Sequence, residues 1–293
     1  MVIQWDGRKP IAIVDKKDRI IVYLAGQPKN DCTWQENART ASREMTNELS
    51  KLTFTDDELN HRRGQYPTLT TGMTYGGGPT IPSTMTGRTK RHRAAIDRLT
   101  RLPAFMRLAG FASSACNLAA PRLFNHYDET VTAVKTDMPT LQKAFQNSVF
   151  PAATFNLGPQ AVTRRHRDEA NIPYGWCAVT ALGDFDPKAG GHLYLWELKM
   201  VIEFPPGSTI LLPSAVLLHG NTPVQPGETR QSFTQYCAGG LIRWRTYGFR
   251  TEEALRAEDP QLFAQVKAKA ASRWEESLGF FSKIGSVRQD HGL

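Results

Sequence analysis

From residue 151 to residue 248 no stretch of this chain sustains a 3.6-residue hydrophobic period, which excludes a helical bundle for that part. Instead, short alternating runs recur between turn residues, at 152–157, 162–168, 175–182, 191–196, 199–204, 208–212, 215–221 and 228–238. About eight short strands with period-two alternation predict a two-sheet jelly roll, a double-stranded β-helix. Helices are predicted on both flanks, so the fold class is α+β, with the helices packed outside the strand core. The expected organisation is a single domain over 1–285. It has a helical and loop support region at 1–150, the jelly-roll core at 151–248 and C-terminal helices at 249–285, and a polar tail at 286–293 follows it.

In the support region, residues 11–14 and 20–24 read as a hairpin around the charged turn DKKD. Asn30 or Asp31 can cap a helix over 33–51, whose stripe is Trp34, Ala38, Ala41, Met45 and Leu49. Thr55 caps a short helix at 54–60. The stretch 62–88 is rich in Gly, Pro and Thr and has no helical period, so it reads either as a flexible linker or as an ordered binding loop. Tyr66, Met73 and Tyr75 favour the binding loop, and Gly76, Gly77 and Gly78 allow a ligand to approach the backbone closely. Helices follow near 89–101, 103–118, 120–136 and 139–146, with Pro103, Pro121 and Pro139 in first-turn positions. Beyond the core, helices are predicted at 251–258 and 260–277.

The net charge of +8 favours an anionic partner, nucleic acid first, although solubility alone accounts for it equally well. The charge is clustered in HRRG (61–64), GRTKRHR (87–93), RRHR (164–167) and RWR (243–245). The 87–93 cluster suits a nuclear import signal or a basic helix start. No apolar run is long enough for a membrane span, and the first ten residues lack the apolar stretch of a secretory signal. The four cysteines lie far apart without a C-x-x-C pair, so neither structural zinc nor a disulfide framework is expected. A reducing, intracellular compartment fits.

Two segments of the predicted core carry metal-ligand chemistry. TRRHRD gives His166-x-Asp168, and a strand places residues i and i+2 on one face, so both can reach one ion. His219, arriving from a distant strand, completes two histidines and one carboxylate, a set that holds Fe(II) by one face and leaves other positions open. Eleven residues on, ETRQSFTQYC puts Arg230, Ser232, Thr234 and Tyr236 on one strand face. A core-facing arginine needs a partner, either a protein carboxylate or an incoming dicarboxylate such as 2-oxoglutarate. Two other candidates are set aside. His126-Tyr127-Asp128 lies in a helical stretch, where i and i+2 point apart. His192 lies only 24 residues after Asp168, has no carboxylate anchor behind it, and reads as a structural histidine.

With these motifs in order, the chain resembles the Fe(II)/2-oxoglutarate dioxygenases of the TET/JBP branch, especially its compact fungal members. The resemblance covers 151–248 and extends more loosely to RGQYPTLTTGMTYGGGPTIP. It implies an enzyme that uses Fe(II), 2-oxoglutarate and O2 to oxidise 5-methylcytosine in double-stranded DNA to 5-hydroxymethylcytosine and beyond, after flipping the base out of the duplex. Carried onto this sequence, the iron ligands are His166, Asp168 and His219, and the cosubstrate contacts are Arg230 and Ser232, with Asn156 joining them. Tyr236 would stack on the base and Asn171 would touch it, together with the glycine loop 76–78. Ala238 stands where relatives carry a cytosine-contacting histidine, which suggests a pocket that also accepts N6-methyladenine. Arg62, Arg63, Lys90, Arg91, Arg93 and Arg164 would hold phosphates. The animal enzymes' cysteine-rich zinc module is absent. A nuclear location and a monomer are expected. The rival readings are a nucleic-acid N-methyl demethylase, a protein hydroxylase and a non-catalytic DNA-binding jelly roll.

Overall fold

The structure, a computed structural model, describes residues 1–270 and 272–293. Two sheets face each other. The larger has eight antiparallel strands in the spatial order Ile11–Val14, Ile20–Gly26, Thr209–Leu212, Cys177–Asp184, Thr229–Tyr236, Ala152–Asn156, Thr68–Thr74 and Ser83–Met85. The smaller has four, in the order Val2–Ile3, Met200–Ile202, Leu193–Leu195 and His219–Asn221. The predicted jelly roll with flanking helices is therefore present. Among the described residues, no helix is long and apolar enough to cross a membrane.

Strand Thr229–Tyr236 shows how period two builds the molecule. Phe233 points away from the small sheet and is fully buried, with its ring against Phe105, Phe145 and Phe155. That side is covered by helices Trp34–Leu49, Lys90–Arg101 and Pro103–Ala119. Removing so buried a ring costs about 3–5 kcal/mol. The alternate residues Arg230, Ser232 and Thr234 face inward between the sheets and line a chamber. Around that chamber the two sheets meet through Leu24, Ile210, Leu212, Leu193, Leu195 and Phe204.

The N-terminal half is more than helical support. It contributes both hairpin strands and Val2–Ile3, and Thr68–Thr74 and Ser83–Met85 emerge from the stretch read as a loop. Thr68–Thr74 pairs along the whole of Ala152–Asn156, burying Leu69, Thr71 and Met73. The predicted strand 162–168 is not a regular strand: it lies beside the small sheet through a bridge between His166 and His219 and through hydrogen bonds between Thr163 and Asn221. The segment 139–146 forms turns rather than a helix. A helix at Gly239–Thr246 lies within the span read as strands. The helix over 260–277 divides into Pro260–Ala268 and Arg273–Ser277. The tail is docked, not free. Val287–Asp290 is helical, and the Asp290 carboxylate is buried against Arg122 at 2.5 Å.

Other expectations hold. Helix Trp34–Leu49 buries Trp34, Ala38, Ala41 and Met45 of the predicted stripe and half-buries Leu49, although Thr33 occupies its cap position, with Asp31 accepting from the Thr33 backbone and hydroxyl. Thr55 and Glu58 form a capping box on Asp56–Leu59, satisfying two backbone donors reciprocally. Pro103 and Pro121 each open a helix. The four cysteines are free.

Candidate metal centre and substrate cleft

His166, Asp168 and His219 converge, with one ligand atom from each lying within 4.8 Å of the others. His166 Nε2 is 3.5 Å from one carboxylate oxygen of Asp168, and His219 Nε2 is 3.8 Å from the other. Reciprocal backbone bonds fix the histidines: each N–H donates to the other's carbonyl at 3.0 Å. The Asp168 N–H donates to the Ser214 carbonyl at 2.9 Å and holds the third ligand's backbone. Gly220 is required beside His219, because any side chain there would strike the Tyr194 hydroxyl and the Thr163 carbonyl.

The tautomers suit a metal. His166 Nδ1 lies 2.8 Å from the Arg164 carbonyl, and His219 Nδ1 lies 2.8 Å from the Leu217 carbonyl. A carbonyl only accepts, so both Nδ1 atoms carry the proton and both Nε2 lone pairs face the centre. Burial, followed by the neighbouring His166, lowers His219 to about 4, which keeps the ring neutral near pH 7. Burial alone would raise Asp168. The surrounding groups, with the Arg63 guanidinium the permanent cation among them, outweigh that and hold it well below the usual carboxylate range. Two imidazoles presenting Nε2 and one carboxylate on one face of a point fit Fe(II) with open positions.

Arg230 lies in the same chamber and is 3% exposed. Its Nη1 donates to the Ala161 carbonyl at 3.0 Å, but its Nε has no partner. Among the described residues it forms no ion pair, and burial pushes its pKa down to about 10. Asn156 pairs with Ser232 across the sheet; its Nδ2 donates to the Ser232 hydroxyl at 2.8 Å, and its Oδ1 is left unpaired. A buried guanidinium with an open N–H edge forms a receptor for a carboxylate-bearing ligand, while the open Asn156 Oδ1 beside it can only accept.

The chamber opens into a cleft of about 580 Å3. Arg63, Asp168 and Thr234 line both, so they form the throat between them. Tyr236 and Asn171 line the cleft as expected, the Tyr236 hydroxyl lying 3.9 Å from Met85 Sδ and the Asn171 amide donating to Ser214 at 3.1 Å. Arg62 and Arg63 lie closer to the chemistry than phosphate contacts would, each 4.0 Å from an Asp168 oxygen. Lys90, Arg91, Arg93 and Arg164 are exposed.

Two assignments need correction. Ala238 does not face the cleft: the strand ends at Tyr236, so the alternation stops, and Ala238 is buried, pairs with Asn171 and precedes helix Gly239–Thr246. Gly76 to Gly78 do not line the cleft. They turn the chain after Thr68–Thr74 with positive φ, and Gly76 and Gly77 face a separate cavity beside Arg243. His192 is outside the metal cluster, as is His126, whose ring packs on Phe280. Sequence reasoning did not single out Thr163 and Asn221, which line the chamber, or Thr70 and Met85, which line the cleft; Tyr66, read as part of a binding loop, lines the chamber. The alternation in TLTTGMT was the available signal for Thr70.

No family model matches the sequence, and neither does any curated protein. Solved structures do. NgTET1 in complex with 5mC DNA superposes with a TM-score of 0.55 at 12% identity, covering 82% of this chain and 83% of that one. Two others overlap more loosely. The collagen prolyl hydroxylase of Paramecium bursaria Chlorella virus-1, solved with 2OG, gives a TM-score of 0.23 at 17% identity over 29% of this chain and 57% of that one. The rice dioxygenase for auxin oxidation gives 0.32 at 13% identity over 81% and 90%. The likeness to NgTET1 concerns the backbone: this chain shares the fold of that structure.

Proposed function

We propose that this protein is an Fe(II)- and 2-oxoglutarate-dependent dioxygenase that oxidises 5-methylcytosine in DNA to 5-hydroxymethylcytosine and further oxidised forms. The observation that carries the reading is the placement of the His166–Asp168–His219 donor set and the partnerless Arg230 Nε in one buried chamber. The NgTET1 fold, solved with 5mC DNA, supports methylcytosine as the substrate.

His166, Asp168 and His219 would hold Fe(II) from one side. When bound, the iron activates O2 and supplies the oxidising power for a methyl C–H bond. Arg230 would grip the distal carboxylate of 2-oxoglutarate through its free guanidinium edge, with Ser232 and Asn156 beside it. The chamber walls exclude water, which strengthens that charged contact. A methyl group in a duplex cannot reach the throat, so the base must leave the stack and enter the cleft. There Tyr236 supplies a stacking face and Asn171 a polar contact, while Arg63 and Thr234 border the path to the metal. Double-stranded DNA is the proposed partner, and the nucleus the proposed place of action.

The test is incubation of a 5-methylcytosine duplex with the protein, Fe(II), 2-oxoglutarate and O2, followed by mass spectrometry of the digested DNA. Hydroxymethylcytosine that depends on all three is the expected result. Formaldehyde from an N6-methyladenine duplex, without any cytosine product, would replace this reading with N-methyl demethylation. 2-Oxoglutarate turnover that no methylated nucleic acid stimulates would favour a protein hydroxylase.

A further inference from the structure

One exposed aromatic stands beside the metal centre without a role in the chamber or the cleft. Trp196 is 57% exposed, and the Arg165 guanidinium lies over its ring, 4.9 Å from the centroid. Its position is fixed by the strands that carry the metal ligands. Leu195 pairs with His219, and the next residue, Trp196, donates its N–H to the Leu218 carbonyl at 2.9 Å. Arg165 directly precedes His166. The indole and the guanidinium therefore share the rim of the small sheet with two iron ligands.

This rim is strongly cationic. Arg164, Arg165, Arg167 and Lys199 are all exposed there. Arg167 is neutralised by Glu197 at 2.6 Å, whereas among the described residues Arg164 and Arg165 make no ion pair. The rim joins the cleft through the backbone: the Arg164 N–H donates to the Arg63 carbonyl, and Arg62 Nη1 donates to the Arg167 carbonyl at 2.7 Å. Burial of Trp196 against the protein would have been the cheaper arrangement for folding, since an indole gains from leaving water. Arginine stacked on an exposed tryptophan, with unpaired positive charge around it, suits a partner that is both polyanionic and aromatic. A nucleic-acid strand has both properties.

We infer that Arg165 and Trp196 form a second docking point for DNA, in which Arg165 holds a phosphate and the open part of the indole stacks on a nucleotide flanking the one presented to the metal. The inference rests on the DNA-oxidation reading and adds a site outside the catalytic cleft. It makes the rim of the small sheet a clamp on the substrate strand, separate from the base-holding Tyr236.

Fluorescence anisotropy with a labelled 5-methylcytosine duplex tests it, measured on wild type, Trp196→Ala, Trp196→Phe and Arg165→Ala across a salt series. Trp196→Ala should raise Kd about 10-fold, within the range of one lost base–aromatic contact. Trp196→Phe keeps a stacking face and should stay within about 3-fold of wild type. Arg165→Ala should lower the salt slope by about one counterion. The exposure of both side chains predicts unchanged thermal midpoints. Wild-type Kd values and slopes in Trp196→Ala and Arg165→Ala would overturn the inference and assign the exposed indole to a partner other than DNA. The product assay on wild type keeps the two readings apart. Oxidation of 5-methylcytosine with unaltered variant binding sinks only the docking point. Weakened variant binding without oxidation sinks only the assigned reaction. A wild type that does not bind DNA sinks the docking point as well.

Discussion

The chamber and the cleft meet at Arg63, Asp168 and Thr234, yet they are built differently. The chamber takes Asn156, His219, Arg230, Ser232 and Thr234 from paired strands, with His166 and Asp168 on a segment hydrogen-bonded beside them, and His166, His219, Arg230, Ser232 and Asn156 are buried. The cleft has strand residues Thr68, Thr70, Thr234 and Tyr236 along one part, and the rest of its wall is connecting segments: the short helix Asp56–Leu59, the ribbon Asn60–Gln65, the 85–88 turn and the 168–171 turn. Rigid paired strands hold atoms to the tolerance that metal and carboxylate binding demand. Loops on such a scaffold can vary in shape without disturbing it. On the proposed function, the difference assigns the reaction to the chamber and the choice of substrate to the cleft.

The most severe way to break that division is at Asp168. Asp168→Ala removes the only carboxylate of the donor set. Turnover of 2-oxoglutarate should fall by more than about 100-fold, beyond the loss that an outer supporting partner usually brings. Succinate formation measured with and without DNA checks it. The fold should persist, because metal ligands do not make its core; circular dichroism should be unchanged. Activity close to wild type would show that the chamber is not the reaction centre.

Arg230→Lys separates charge from geometry inside the chamber. Lysine keeps the charge and loses the planar fork. The KM for 2-oxoglutarate should rise by about 10- to 100-fold, the cost of one charge-assisted bidentate contact. An unchanged KM would mean that the free Nε of Arg230 serves another ligand.

Tyr236→Ala acts on the cleft side of the throat. Loss of a stacking face should lower oxidation of 5-methylcytosine about 10-fold. If chamber and cleft are independent, the KM for 2-oxoglutarate should stay within about 2-fold. A parallel rise in that constant would show that the two regions work as one.

The same division explains what could be read from the residues. His166, Asp168, His219, Arg230 and Ser232 were legible because metal and carboxylate chemistry restricts residue types at short spacings. That held even though 162–168 is not a regular strand. The two backbone bonds between His166 and His219 and the Asp168 N–H to the Ser214 carbonyl bring the ligands together without a ladder. The cleft was less legible. Thr68–Thr74 was concealed by the Gly, Pro and Thr around it, and its contact partner is remote, Thr70 meeting Thr154 across 84 residues. Helix Gly239–Thr246 was concealed by its opening Gly-Gly pair. Gly240 is there for packing, since any side chain would strike the Tyr75 carbonyl. Pro139 reads as a helix start, but the turns after it use other donors and acceptors, such as the Gln142 N–H to the Thr84 hydroxyl at 3.0 Å. Ala238 failed because the alternation that positions Tyr236 stops where the strand stops. The relaxed-pocket idea that rested on Ala238 loses its structural basis with it.

The smallest expected effect lies at the edge of the cleft, where charge and stability oppose each other. Helix Lys90–Arg101 begins with Lys90, Arg91 and Arg93 exposed, and its first turn has no acidic residue. A helix N-terminus carries partial positive charge, so cations there destabilise it, each by about 0.3–1 kcal/mol at low salt. Thr89 caps the helix, accepting from the His92 N–H at 3.1 Å, so the start is defined without those cations. Their presence is thus unfavourable for the helix itself, and the proposed DNA-binding role would account for it. Lys90→Glu should raise the thermal midpoint by about 1–2 °C at low salt, because a carboxylate suits the dipole. The same change should weaken duplex binding and reduce the salt slope by about one counterion. Since Lys90 is outside the chamber, 2-oxoglutarate turnover without DNA should not respond. A gain in stability with unaltered DNA affinity would mean that the basic helix start serves something other than the duplex, and it would confine DNA contact to the arginines nearer the throat.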